Sequence, residues 1–236
     1  MIVDNDTPWV VIVPARGGSK GIPNKNLRMI AGKPLIWWTM DSVHQAKMQM
    51  RLVVTTDDLH ISAFAKASGA EVVERPKELA TDESPTDPAL MHALEMLERP
   101  EALEHVILLQ ATSPVRFPGT LDSAIQTYSE SKADSLVGVV PSSSFLWKGE
   151  KSTPVPLYDL TLRKRRQDLP STDCVFRETG SIYITRRDAL LATRNRLSGK
   201  VILYPMREDE GIDIDVEADF LDAERIIMRE SHDHLE

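Results

Sequence analysis

The apolar, β-branched run from Trp9 to Pro14 passes directly into Ala15-Arg16-Gly17-Gly18-Ser19-Lys20-Gly21-Ile22-Pro23-Asn24-Lys25-Asn26. A short apolar run with turn chemistry at its end reads as a buried strand delivering a loop. Similar runs follow at Leu52 to Thr55, Glu71 to Val73, Val106 to Leu109 and Leu136 to Val140, with helix-compatible segments between several of them. Strands alternating with helices predict an α/β fold with a mostly parallel sheet, because a parallel return needs a long crossover. Ligands of such sheets sit beyond the carboxyl ends of the strands, which directs attention to the loops there.

The alternation stops between Ser142 and Asp173, where Ser142-Ser143-Ser144, Pro154, Pro156 and the basic run Arg163-Lys164-Arg165-Arg166 occur. It resumes at Ser181 to Thr185, Val201 to Pro205 and Ile212 to Ile214, and the chain closes on a helix-periodic stretch from Ala218 to Arg229. We expect one domain over residues 8–230, with an insertion at about 142–173. The adjacent Trp37 and Trp38 fall on a helix-compatible segment, and at least one is expected in the core.

A net charge of -8 opposes nucleic-acid or anionic-membrane binding, since phosphate polymers select a basic field. No apolar stretch reaches the ~18 to 20 residues of a bilayer crossing. The single cysteine, Cys174, and the polar segment Met1 to Thr7 lead us to expect a cytoplasmic protein. The histidines and methionines show no ligand spacing and read as packing or surface residues.

The loop after the first strand suits a polyphosphate. Gly17, Gly18 and Gly21 let the main chain curl around oxygens, and Arg16, Lys20 and Lys25 supply positive charge. The alternative is a flexible surface loop. A Walker loop and the dinucleotide fingerprint are both excluded, because neither spacing of glycines is present.

From Ala15 to Asn26 the sequence resembles the acylneuraminate (CMP-sialic acid) cytidylyltransferases. The resemblance continues in order through Thr55-Thr56-Asp57, Arg75 to Asp82, Leu108 to Arg116, Arg166-Gln167-Asp168-Leu169-Pro170 and Ile212 to Glu217. The related Kdo cytidylyltransferases fit less well, since the block expected after the central strand is replaced by Gln110-Ala111-Thr112. The resemblance implies a three-layer, Rossmann-like nucleotidyltransferase fold with a small dimerisation insertion. It implies CTP and an acidic nonulosonic sugar as substrates, Mg²⁺ or Mn²⁺ as cofactor, and a homodimer.

It also implies roles for residues. Ala15, Arg16, Gly17, Gly18, Ser19, Lys20, Lys25 and Asn26 would hold the nucleotide, joined by Arg75, Ser84 and Thr86, whereas Arg75 in isolation reads as a surface cation. Asp213 and Asp215 alternate on an extended segment, so both carboxylates can face one cavity. They are either the metal pair, catalytic together with Arg16 and Lys25, or a turn and helix cap. Gln110, at the end of an apolar strand, is assigned to the sugar. Arg116 either meets the sugar carboxylate or supports its loop. Tyr183 either lines the sugar pocket or is an ordinary strand tyrosine. Arg166 lies on a solvated basic face, on a nucleic-acid surface, or, as the resemblance implies, on a dimerisation arm that approaches the partner's site.

Thr179-Gly180 stands where family members commonly carry Asn-Gly. A hydroxyl cannot repeat an amide's donor and acceptor pair, which leaves open a legionaminic or pseudaminic relative, a deaminated sugar or another acidic acceptor as substrate. The expected chemistry is in-line attack of the anomeric hydroxyl on the α-phosphorus, carried by positioning and charge neutralisation. The rivals are a sugar nucleotidyltransferase with another base or acceptor and an idle nucleotide-binding module, the latter disfavoured by the paired aspartates.

Overall fold

The computed structural model describes residues 7–18, 21–142, 145–161 and 174–233. Its centre is a seven-stranded sheet in the order β11-β7-β10-β6-β1-β4-β5. The strands are β1 (Trp9–Pro14), β4 (Arg51–Thr56), β5 (Glu71–Glu74), β6 (His105–Leu108), β7 (Ser135–Ser142), β10 (Val175–Arg186) and β11 (Val201–Pro205). All neighbours run parallel except β10, which is antiparallel to both β6 and β7.

Strand β1 shows why the sheet is covered on both faces. Val11 and Val13 enter one cluster with Ile36 and Met40 of α1 (Leu35–His44), Ile61 of α2 (Leu59–Ala67) and Ala124 of α4 (Thr120–Ser131). Val10 and Ile12 enter the other, with Leu90 and Leu94 of α3 (Thr86–Met96) and Leu190 of α5 (Arg187–Thr193). Period-2 side chains that are apolar on both faces require helices on both faces, which yields the three layers expected.

A third cluster positions the site. Ile22 from the loop after β1, Val115 from the loop after β6, and Ile214 pack with Phe220, Ala223 and Ile227 of α6 (Glu217–Asp233). Each large aliphatic side chain buried there contributes about 1.5–3 kcal/mol, enough to draw three separate loops together. Trp38 packs partly against this cluster, and both Trp37 and Trp38 are only half-buried, so neither fills the core as expected.

Segment 212–214 forms no strand. The Ile214 amide donates to the Thr112 carbonyl at 2.8 Å and the segment is extended without a ladder. Within the interruption of the alternation, β8 (Trp147–Glu150) and β9 (Thr153–Pro156) make an antiparallel hairpin, and β2 (Met29–Ile30) and β3 (Lys33–Pro34) make a smaller one. Among the described residues no helix is long and apolar enough to cross a membrane.

Candidate active site

A cleft of about 400 Å³ opens beyond the carboxyl ends of β1, β4, β5 and β6. Its walls include Arg16, Gly21, Lys25, Asn26, Arg75, Ser84, Thr86, Gln110 and Asp215. Nine residues singled out in the sequence, from five separate stretches of chain, therefore meet around one opening.

The loop after β1 is fixed by close contacts. The Gly17 amide donates to Asp57 Oδ1 at 3.0 Å, so it is committed to protein and not a free donor as expected. A Cβ on Gly17 would lie 2.8 Å from that of Asp58, and one on Gly21 would lie 2.4 Å from the Asp215 carbonyl oxygen. Glycine at these two positions is required by approach of backbone and side chain, whereas a Cβ on Gly18 would meet open space. Ser19 and Lys20 lie outside the described residues.

Arg16 pairs with Asp82 at 2.6 Å, joining the loop to the segment before α3. Asn26 is buried, donates through Nδ2 to the Arg16 carbonyl at 2.9 Å, and leaves its Oδ1 without a partner among the described residues. A buried acceptor beside a cleft is a place for a ligand donor or water. Lys25 donates to the Ile214 carbonyl and stands 3.9 Å from Asp215 Oδ1.

Arg75 is buried at 6% exposure, with Nη2 donating to the Thr55 carbonyl and Nε to Thr55 Oγ1. Burial, with Arg16 nearby and despite Asp57, lowers its pKa to about 10, so the guanidinium stays charged at neutral pH. It is therefore no surface cation. Ser84 accepts or donates with Thr81 at 2.7 Å and donates to the Glu78 carbonyl, which shapes the segment leading into α3.

Asp213 is half-buried, with Ser113 donating to its Oδ1 at 3.4 Å, whereas the Asp215 side chain is 80% exposed at the cleft. Buried Ile214 lies between them; Asp215 lines the cleft, whereas Asp213 is not among its wall residues. The cap reading is met by another residue: Asp219 accepts from the Asp215 and Val216 amides, both at 2.9 Å. Mg²⁺ takes oxygen ligands and is commonly held by one or two carboxylates plus substrate phosphates. Asp215, exposed at the cleft wall, offers oxygen acceptors of that kind, and Asp213 stands two residues away, outside the wall residues.

Gln110 is half-buried in the wall, and Gly180, at φ +71°, leaves room for its Oε1, which a Cβ there would meet at 2.3 Å. Arg116 turns away from the opening. Its guanidinium donates to Thr39 Oγ1, the Gln110 carbonyl and the Ser181 carbonyl at 2.7–3.2 Å, and burial lowers its pKa to about 9. This geometry gives Arg116 the loop-supporting role. Tyr183 is buried in the second cluster with its hydroxyl on Glu178, outside the cleft walls. Arg166 lies outside the described residues. Asp82 and Ser113 carry contacts that the sequence reading did not assign, although both stand inside the blocks that carried the resemblance.

Residues 10–232 match the sequence family described as Cytidylyltransferase. The chain belongs to that family. This cytidylyltransferase-family chain is 33% identical over 223 residues to N-acylneuraminate cytidylyltransferase A of Danio rerio, covering 92% of this chain and 50% of the relative. It is 31% identical over 218 residues to the N-acylneuraminate cytidylyltransferase of Escherichia coli, covering 91% and 51%. The chain spans about half the length of these curated relatives. In fold it is similar to a CMP:2-keto-3-deoxy-manno-octonic acid synthetase complexed with CTP, with a TM-score of 0.70 at 18% identity over 95% of this chain and 100% of that one. It is also similar to a 4-diphosphocytidyl-2C-methyl-D-erythritol synthase from Anaerococcus prevotii, with a TM-score of 0.64 at 12% identity over 94% and 100%.

Proposed function

We propose that the protein transfers the cytidylyl group of CTP to the anomeric hydroxyl of an acidic nonulosonic sugar, N-acetylneuraminate or a relative, releasing pyrophosphate. The observation that carries this reading is the convergence of Arg16, Lys25 and buried Arg75 with Asp215 and the unpartnered Asn26 Oδ1 around one cleft. The names of the relatives point the same way.

In this reading Arg16, Lys25 and Arg75 balance the triphosphate, and Asn26 Oδ1 accepts from the nucleotide. We assign the segment of Ala15, Gly17 and Gly18 to the phosphates, as we do Ser19 and Lys20, which lie outside the described residues, and Ser84 and Thr86 to the base and ribose. Asp213 and Asp215 would hold Mg²⁺, or Mn²⁺, which would supply positive charge beside the phosphates. Gln110 orients the acceptor from the strand end, and Arg116 fixes the Gln110 backbone. The protein's work is alignment of the acceptor hydroxyl with the leaving pyrophosphate, since phosphoryl-type transfers need little covalent help. Cytoplasm, where CTP is available, is the compartment we assign.

The test is pyrophosphate release with each of the four nucleoside triphosphates against a panel of nonulosonic acids. Release is expected with CTP and one or more of the acids, and to stop when divalent cation is chelated. Equal turnover of UTP or ATP would overturn the cytidylyl assignment.

A further inference from the structure

Among the described residues, five charged side chains line the cleft: Arg16, Lys25, Arg75, Asp82 and Asp215. The reading above gives work to four of them, the three cations on the triphosphate and Asp215 on the metal. Asp82 has no part in it, although a carboxylate and a phosphate in one cleft repel each other. Its Oδ1 stands 2.6 Å from Arg16 Nη2, and the two side chains are 31% and 29% exposed. Ion pairs this open to water stabilise a fold little, and either partner can be exchanged.

Carboxylate and phosphate make the same demand on a guanidinium, two in-plane N–H donors. Asp82 therefore sits on a group that the triphosphate needs in that reading. Burial lowers the Arg75 pKa most, Asp57 opposes this, and Arg16 lowers it further, so two cations stand near each other in the cleft wall. An anion on Arg16 relieves their repulsion. A bound polyphosphate would supply that anion itself and leave Asp82 as a like charge beside it.

We propose that Asp82 is an internal competitor for the polyphosphate. Its carboxylate holds Arg16 when no polyphosphate is bound, yields it to CTP, and opposes the pyrophosphate left after transfer, which favours release of that product. The inference rests on the polyphosphate part of the reading above and is independent of the base and of the acceptor.

The test is calorimetric titration of the protein with CTP and with pyrophosphate at one fixed Mg²⁺ concentration, for wild type, Asp82→Asn and Asp82→Glu. Asp82→Asn keeps the shape and removes the charge. It is expected to bind both ligands at least about threefold more tightly, with the gap narrowing as salt is raised. Pyrophosphate should inhibit its turnover at correspondingly lower concentration. Asp82→Glu keeps the charge and should stay nearer to wild type. If Asp82→Asn does not fold, Asp82→Ser is expected to shift both affinities in the same direction. Unchanged or weaker binding of either ligand would overturn the inference, because a carboxylate that merely orients Arg16 or holds the metal predicts a loss on its removal. Should wild type bind UTP or ATP instead of CTP and show the same gain in Asp82→Asn, the inference stands and the cytidylyl assignment falls. A wild-type protein that binds neither CTP nor pyrophosphate would remove both.

Discussion

Arg75 shows how a side chain can be retained against stability. It is buried, its hydrogen bonds go to Thr55, and desolvation is the largest influence on its pKa. A buried cation short of counter-charge is a cost that a bound polyphosphate offsets. Arg75→Met is therefore expected to leave the melting temperature unchanged or raised while weakening CTP binding at least about tenfold, read by thermal unfolding and calorimetry. A lower melting temperature with unaltered CTP affinity would make the residue structural. Its place was legible only through the order of motif blocks, because an isolated arginine after a strand carries no signal of burial. Arg116 was harder to read. Its acceptors, the carbonyls of Gln110 and Ser181, come from backbone that sequence cannot place, so the choice between sugar contact and loop support needed coordinates.

At the scale of elements, apolar runs marked the strands of the central sheet well, because burial on both faces leaves a continuous hydrophobic signature. The first half of β10 escaped notice since Phe176, Arg177 and Glu178 are exposed, and polar exposed residues carry no such mark. Segment 212–214 gave the opposite error. Ile212 and Ile214 have strand-like spacing, yet they face the third cluster, and the Ile214 carbonyl is taken by Lys25 instead of a neighbouring strand. This junction of two loops is sensitive at Gly21. A methyl group 2.4 Å from the Asp215 carbonyl forces the backbones apart. Gly21→Ala should cost about 1–3 kcal/mol of stability. Because it also moves Lys25 away from Asp215, turnover should fall more than tenfold, a loss of roughly 1.4 kcal/mol or more in transition-state stabilisation. Activity within twofold of wild type would mean that the two loops need not touch during the reaction.

At the scale of the whole molecule, the β8–β9 hairpin and the segment behind it stand apart in surface chemistry. Trp147, Val155, Leu157 and Leu160 are 48–54% exposed, and Phe145 and Trp147 each lie edge-on to Tyr158. Apolar side chains gathered at an exposed projection commonly mark an association surface. The resemblance assigns this region to a dimerisation arm, and we propose from it and the apolar surface that the chain forms a homodimer through this face. In an isologous pair the same patch meets itself, so one charge introduced per chain is encountered twice at the interface. Trp147→Glu is therefore expected to yield monomers in equilibrium sedimentation, with near-UV evidence of an intact central fold, because β8 belongs to a separate two-stranded sheet. Turnover should fall with dimerisation if Arg166 of the arm serves the partner's cleft, and it should recover as protein concentration drives the variant back to dimers. A Trp147→Glu protein that remains dimeric would place the interface elsewhere. A monomer with full activity would show that each cleft works without the partner's arm.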